Sequence, residues 1–252
     1  MIKLMPAFLA AVLTVILAAP SMSFSITGEE VIRAIDRNMV FENETGRAVM
    51  IIDRDGKKMT KTFKMFAKKR GAGNESFSEF TNPEDAGTKY LKIDNELWIY
   101  LPDADDILKI SGHMLRQGMM GSDISYEDMM RNEDMFSRYT AVLTGETNID
   151  GTTCYDVTIT AKVEDVTYYK ERLFVDEQRM VELERDLYAK SGRLLKVFSE
   201  KGIQNYNGRY YPTIITVKDM KREDSLTTIE LKDLDFDAPL SQSIFSRQNL
   251  KK

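Results

Sequence analysis

The chain has 252 residues, a formal net charge of −5 and a hydrophobic fraction of 42%. The acidic balance argues against nonspecific nucleic-acid binding, which needs a basic face. A single cysteine, Cys154, excludes a disulfide framework within the chain, and a single histidine, His113, excludes a zinc site built on several His or Cys ligands.

The first residues read as a targeting segment. Lys3 supplies a positive start, residues 4–19 are apolar but for Pro6 and Thr14, and Ser21 and Ser23 are spaced for cleavage before Phe24. This predicts a signal peptide over residues 1–23 and an exported, soluble domain over 24–252. An uncleaved N-terminal anchor is the alternative. No later apolar run is long enough to cross a bilayer. Without disulfides, the exported domain must be held by its core, and Cys154 is expected to pack as a small apolar group in a strand.

Thr27 and Glu30 form a capping box, and Val31, Ile32, Ile35 and Met39 follow at helical spacing. A helix is predicted over residues 28–41, with one apolar face. From residue 47 the period changes to two. Strand-like runs at 48–52 and 59–67 flank the turn signal DRDG at 53–56. Further strands are predicted at 75–81, 88–93, 96–101 and 107–111. Residues 112–136 break the alternation, with a second capping box at Ser125 and Asp128 and a helix predicted over 126–136. Strands resume at 139–148, 154–161, 168–175, 180–188, 194–203, 209–219 and 225–235, and the end of the chain is expected to dock Phe245 and Leu250. Short strands in such succession indicate an antiparallel sheet that curls, in one domain.

Most enzyme signatures are missing. The sequence holds no nucleophile elbow, P-loop or dinucleotide fingerprint. Asp123, Glu127 and Asp128 match no calcium loop, and acids at a helix start interact well with its positive end. A carboxylate pair of the glycosidase type stays open, because such groups meet only in three dimensions. No metal and no cofactor are expected.

The segment 96–130 is the most unusual. Leu97, Ile99 and Leu101 face one way, Trp98 and Tyr100 the other, so this strand must be covered on both faces. Met114, Met119, Met120, Met129 and Met130 follow, beside Gly112, Gly118 and Gly121, which give the segment freedom to move. Methionine is unbranched and polarizable and adapts to varied shapes. A methionine-rich flap over a concave apolar sheet fits a pocket for flexible acyl chains; the plainer reading is that these side chains fill a core. Which face of strand 97–101 points inward is left open.

The order of signal peptide, helix, meander, helical insert and meander resembles the LolA/LolB/RseB superfamily of periplasmic lipoprotein carriers and sensors. The segments LWIYLP at 97–102 and GSDISYED at 121–128 resemble the hallmark of its LolA-like outer-membrane lipoprotein-sorting branch. Weaker likenesses lie at 186–192, 208–213 and 244–245. The resemblance implies a mainly β, α+β fold: an unclosed antiparallel β-barrel with a long N-terminal helix and a helical lid or plug on its concave side. It implies a monomeric periplasmic carrier or chaperone that binds lipid or lipoprotein acyl chains in outer-membrane biogenesis. An inner-membrane exporter of the resistance-nodulation-division type is the implied partner. Trp98, Tyr100, Met114, Met119, Met120, Met129 and Met130 are the expected cavity and lid residues. The competing expectations are a sensor or adaptor that binds a membrane protein in response to lipid, a carboxylate-pair enzyme, and a structural envelope protein.

Overall fold

A computed structural model describes residues 26–39, 41–71, 73–130 and 135–252. The expected signal peptide lies outside the described residues, as do residues 131–134 of the expected second helix. The described residues open with α1 (Gly28–Met39). Six strands follow: β1 (Asn43–Arg54), β2 (Lys57–Arg70), β3 (Gly73–Phe80), β4 (Lys89–Ile93), β5 (Glu96–Leu101) and β6 (Asp106–Ile110). A largely irregular segment then carries α2 (Tyr126–Met129) and α3 (Met135–Arg138). The second run comprises β7 (Tyr139–Ile149), β8 (Thr152–Ala161), β9 (Lys170–Asp176), β10 (Val181–Tyr188), β11 (Leu194–Lys201), β12 (Gln204–Tyr206), β13 (Arg209–Tyr211), β14 (Ile214–Asp219) and β15 (Ser225–Asp235). The chain ends in α4 (Arg247–Leu250).

Thirteen of these strands form one antiparallel sheet in the order β6-β5-β4-β3-β2-β1-β15-β14-β11-β10-β9-β8-β7. Most neighbours are also the next strand in sequence, joined by hairpin connections that range from two-residue turns to loops such as the one between Phe80 and Lys89. Asp55-Gly56, Asp150-Gly151 and Asn207-Gly208 all take the paired positive φ of the hairpin turns that match strand twist. The exceptions are β14 against β11, with β12 and β13 between them in sequence, and β1 against β15, which joins the two meanders from Thr45↔Asp235 to Arg54↔Ser225 with a register shift between Thr45 and Arg47. The sheet curls but does not close, leaving β6 and β7 as its edges. The unclosed half-barrel expected from the sequence is therefore present.

The run expected as one strand over 209–219 is two strands in two sheets. Pro212 lacks an N–H and interrupts the ladder, so β13 folds back on β12 as a separate hairpin while β14 joins the large sheet. Of the expected 28–41 helix, Gly28–Met39 is helical, and residue 40 lies outside the described residues.

The concave face is covered in two places. Val31, Ile32 and Ile35 of α1 pack on Val157 and Ile159 of β8 and on Leu173 and Val175 of β9. The helix is fixed by its capping box, in which Glu30 Oε2 accepts the Thr27 N–H at 2.7 Å and Thr27 Oγ1 accepts the Glu30 N–H at 3.2 Å. At its other end Asn38 donates to the carbonyls of Arg179 and Met180 and accepts from the Tyr210 N–H. The second cover is the segment between β6 and α2. On the convex face the C-terminal tail lays Phe245 and Leu250 over Phe77, Leu91 and Trp98.

Between the two apolar regions of the concave face runs an ionic belt. Arg185 donates to Glu182 and lies 3.8 Å from the fully buried Glu171. Burial, with the charge of Glu182, raises the Glu200 carboxyl well above the usual range, against the pull of Arg185. Nearby, Tyr211 donates to Glu44 Oε1 at 2.9 Å, and burial pushes the Glu44 carboxyl up from 4.5 to about 7 despite that hydrogen bond.

Two measurements follow from this packing. Phe245→Ala should destabilise the protein by about 3–5 kcal/mol, read from the urea midpoint at constant slope, because a buried ring leaves a cavity under the tail. The folded protein holds a Glu44 proton that the unfolded chain has released between 4.5 and about 7. Stability from this group is thus complete below the unfolded value and is lost as pH rises through about 7. Glu44→Gln should flatten the fall of stability with pH across that window, by an amount thermal melting resolves; Glu200, shifted in the same direction, leaves a residual slope.

Candidate functional site

The segment from Ser111 to Met130 is a plug seated on the concave face of β1 and β3–β6. It is built from two short 3-10 turns, Gly112–Arg116 and Met119–Gly121, and from α2. Two local features compact it. Gly118 runs so close to Ser122 that a Cβ would stand 2.1 Å from the Ser122 carbonyl oxygen, and Gly121 lies in the left-handed region at φ 81°. These glycines shape a tight fold here; they do not leave the segment loose, as their type alone suggested. Met120 also adopts a left-handed conformation, at φ 50°. That conformation costs a residue with a Cβ about 1–2 kcal/mol.

The plug's backbone pairs with itself. Met119 N–H donates to the Ile124 carbonyl at 2.7 Å and Tyr126 N–H to the Gln117 carbonyl at 3.1 Å. Ser125 and Asp128 form the expected capping box: Asp128 Oδ2 accepts the Ser125 N–H at 2.7 Å, and Ser125 Oγ accepts the Asp128 N–H at 3.2 Å. Among the described residues, the backbone–backbone hydrogen bonds of residues 112–130 all close within 111–130. No strand pairing ties the plug to the sheet.

Two kinds of contact hold it. The first is apolar. Met119 is buried among Met50, Ile52, Phe80, Tyr90, Leu97, Ile99, Ile110 and Tyr126, with Met114, Met120, Met129 and Met130 half-buried around this core. The Tyr90 hydroxyl donates to Met120 Sδ at 3.1 Å and lies 3.3 Å from the Tyr126 hydroxyl. Each such side chain removed from water contributes about 1.5–3 kcal/mol, so this layer dominates the plug's attachment.

The second kind is polar, and its partners, Arg54 of β1 apart, are on the far meander. Asp128 Oδ2 accepts from Lys196 Nζ at 2.5 Å and Oδ1 from the Tyr168 hydroxyl at 2.7 Å. Both ends of this ion pair are buried, with side-chain exposures of 8% and 4%. Burial, then the Asp128 charge, pushes the Tyr168 phenol up, so it stays a donor. Asp123 is fully buried: it accepts from Ser225 Oγ at 2.8 Å and Thr227 Oγ1 at 2.8 Å, while its own N–H donates to Thr227 Oγ1 at 2.9 Å. Glu127 accepts from Thr167 at 2.7 Å. Arg54 donates to the Gly121 carbonyl at 2.5 Å and Arg222 to that of Ser122 at 3.2 Å. A polar cleft of about 50 Å³ remains at the plug's edge, lined by Arg116, Ser122, Glu127, Thr167, Lys196 and Arg222 among others. That is room for water, not for a chain. The methionines themselves fill the space beneath the plug.

The seven residues singled out from the sequence fall into two groups on opposite faces. The five methionines meet on the concave side, with Leu97, Ile99 and Leu101 of β5 beneath them. Trp98 and Tyr100 point to the convex side, under Phe245 and Leu250. There Lys109 and Arg247 stand over the Trp98 ring at 5.9 and 5.7 Å. The strand's two apolar faces thus serve two different covers, which settles which face points inward. Asp123, Glu127 and Asp128, read as acids at a helix start, are all fastened to the sheet or the loop before β9. Their partners Lys196, Tyr168, Ser225 and Thr227 carry no local sequence signal. Cys154 is buried in β8, and burial raises its thiol.

This architecture recurs in solved structures. A DUF1329 family protein from Desulfovibrio piger superposes with a TM-score of 0.82 at 31% identity, over 88% of this chain and 97% of that one. This chain belongs to the DUF1329 family. A family model described only as an uncharacterized protein matches residues 72–252. An outer membrane lipoprotein-sorting protein domain from Vibrio parahaemolyticus aligns at a TM-score of 0.81 and 19% identity, over 89% of this chain and 98% of that one. A LolA superfamily protein from Nitrosomonas europaea aligns at 0.72 and 20%, over 89% and 100%. The resemblance read from residues 97–102 and 121–128 is borne out, and for DUF1329 it means that the family shares the LolA-type fold. No curated protein matches the chain.

Removing one end of the buried pair tests how the plug is held. Lys196→Met leaves Asp128 charged and buried, and should cost about 3–5 kcal/mol in urea unfolding. The double variant Asp128→Asn with Lys196→Met should recover most of that loss.

Proposed function

We propose that this protein is a periplasmic carrier that binds lipid or lipoprotein acyl chains on the concave face of β1 and β3–β6, with residues 111–130 as a plug that leaves and returns. The observation that carries this reading is the plug's attachment. Its backbone–backbone hydrogen bonds close within the segment, and only side chains of the sheet and its turns bind its backbone from outside, so it can lift without breaking a strand ladder. Lifting it uncovers a continuous apolar surface of Met50, Ile52, Phe80, Tyr90, Leu97, Ile99 and Ile110.

An acyl chain taking the plug's place would regain the buried area that the methionines give up. At about 0.8 kcal/mol per buried CH₂ a whole chain would bind too tightly to be handed on. Displacing the plug offsets that gain, which leaves the net affinity modest. Met114, Met119, Met120, Met129 and Met130 are the plug's cargo-competing side chains; Trp98 and Tyr100, on the convex side, take no part.

The likeness in fold to lipoprotein-sorting and LolA superfamily proteins supports the carrier class. In this reading the signal peptide over residues 1–23 delivers a monomeric domain, 24–252, to the periplasm. Cargo moves between the inner membrane, at an exporter of the resistance-nodulation-division type, and the outer membrane. No catalysis is involved, since Asp123, Glu127 and Asp128 are spent on holding the plug. No helix among the described residues is long and apolar enough to cross a membrane.

Protein purified natively from its envelope should yield lipid or lipoprotein in the organic extract by mass spectrometry, and the emptied protein should take up a fluorescent fatty acid saturably. A lipid-free protein that takes up none would overturn the carrier reading in favour of a protein-binding adaptor.

A further inference from the structure

We propose that Asp123 and Asp128 occupy, in the closed state, the subsite for the anionic head of an amphiphilic cargo, an assignment that rests on the carrier reading above. The groups that receive these carboxylates belong to the sheet and its loops, not to the plug. Lys196 lies on β11, Ser225 and Thr227 on β15, Tyr168 just before β9, and Arg222 in the turn before β15. Lys196 and Tyr168 take Asp128; Ser225 and Thr227 take Asp123, with Arg222 3.8 Å away.

When the plug leaves, both carboxylates leave with it. What remains on the sheet is one ammonium, one guanidinium and three hydroxyls, all aimed at where the carboxylates stood. Lys221 adds positive charge at the rim of the same cleft, and Asp219 is the carboxylate that stays on the sheet side. Donors desolvated around an absent acceptor favour an anion that replaces it, and charge-assisted hydrogen bonds are the stronger kind.

The position of this donor set identifies the cargo. Thr227 pairs directly opposite Ile52, and Ile229 opposite Met50, across the β1–β15 ladder. Residues directly opposite in an antiparallel pair share a face. The donors therefore abut the apolar floor that the methionines cover. A ligand that satisfies both has an acyl tail on β1 and β3–β6 and a phosphate or carboxylate head at Lys196, Tyr168, Ser225 and Thr227. The plug is a built-in imitation of that molecule, with methionines for the tail and two aspartates for the head.

Titration calorimetry on the purified, delipidated protein tests this with ligands that share one tail. Myristoyl lysophosphatidate should bind about tenfold tighter than monomyristoylglycerol, and tetradecyltrimethylammonium should bind weakest. Asp123→Asn, which keeps the plug's shape and removes one competing charge, should tighten lysophosphatidate binding. The double variant Asp128→Asn with Lys196→Met, balanced in charge, should lower the preference for the phosphate head. It serves as the second test if Asp123→Asn fails to fold. Equal affinity for the three head groups sinks the head-group subsite while the carrier reading stands. Failure to bind any of the three sinks both. Inorganic phosphate alone binding as tightly as lysophosphatidate would make this a site for a small anion and overturn the amphiphile.

Discussion

An antiparallel sheet that curls without closing has a concave face too apolar to leave wet, and everything else in this molecule answers that constraint. Strand pairing fixes the floor but leaves Met50, Ile52, Tyr90, Leu97 and Ile99 facing open space. A closed barrel would bury such residues against the opposite wall. Here the wall is missing, and the segment linking the two edge strands, β6 and β7, is folded inward to take its place. The cover is thus supplied by the same connection that the topology requires between the two meanders.

The two kinds of contact under that cover do different work. Burial of the methionines is non-directional and supplies most of the free energy. The buried Asp128–Lys196 pair adds little net stability, because desolvation of both ions offsets their attraction. It does specify position. A plug held by methionines alone could slide or tilt on a smooth apolar floor, since methionine tolerates many packings. Asp123 and Asp128 each have one place on the sheet where their hydrogen bonds are complete. Soft contacts set the strength and hard contacts set the register, a combination suited to a part that must come off and reseat.

The fold was largely legible because its local rules are strong. The period of two, the Asp-Gly and Asn-Gly turns and both capping boxes act over two to four residues, and each reads directly from sequence. The Met-rich segment also declared itself, by failing to alternate. What was not legible depends on distant partners. Trp98 and Leu97 look equally apolar, and only the C-terminal tail, some 150 residues on, decides that Trp98 faces outward. Asp128 finds Tyr168 40 residues away and Lys196 68 residues away, while Asp123 finds Thr227 104 residues away. Nothing near these residues in the chain marks them. Pro212 was visible, but its consequence, a strand divided between two sheets, depends on β12 being free to pair with β13.

The ionic belt between the two covers sets the extent of any apolar ligand. Glu171, Glu182, Arg185 and Glu200 lie on β9–β11, between the floor under the plug and the floor under α1. Arg185 pairs with Glu182 and Glu171, and this charged group interrupts the apolar surface between the two regions. Crossing the belt would desolvate several charged groups with nothing to replace their water, at a cost far above what a few methylenes return. A chain that displaces the plug is therefore confined to β1 and β3–β6. The side of this region nearest the belt is where Lys196 and Tyr168 stand. A tail therefore has its apolar floor on one side and its polar boundary on the other, and an amphiphile fits that boundary in one orientation only: tail toward β6, head toward β11. The same arrangement keeps α1 apart from the exchange, since its packing on β8 and β9 lies on the other side of the belt.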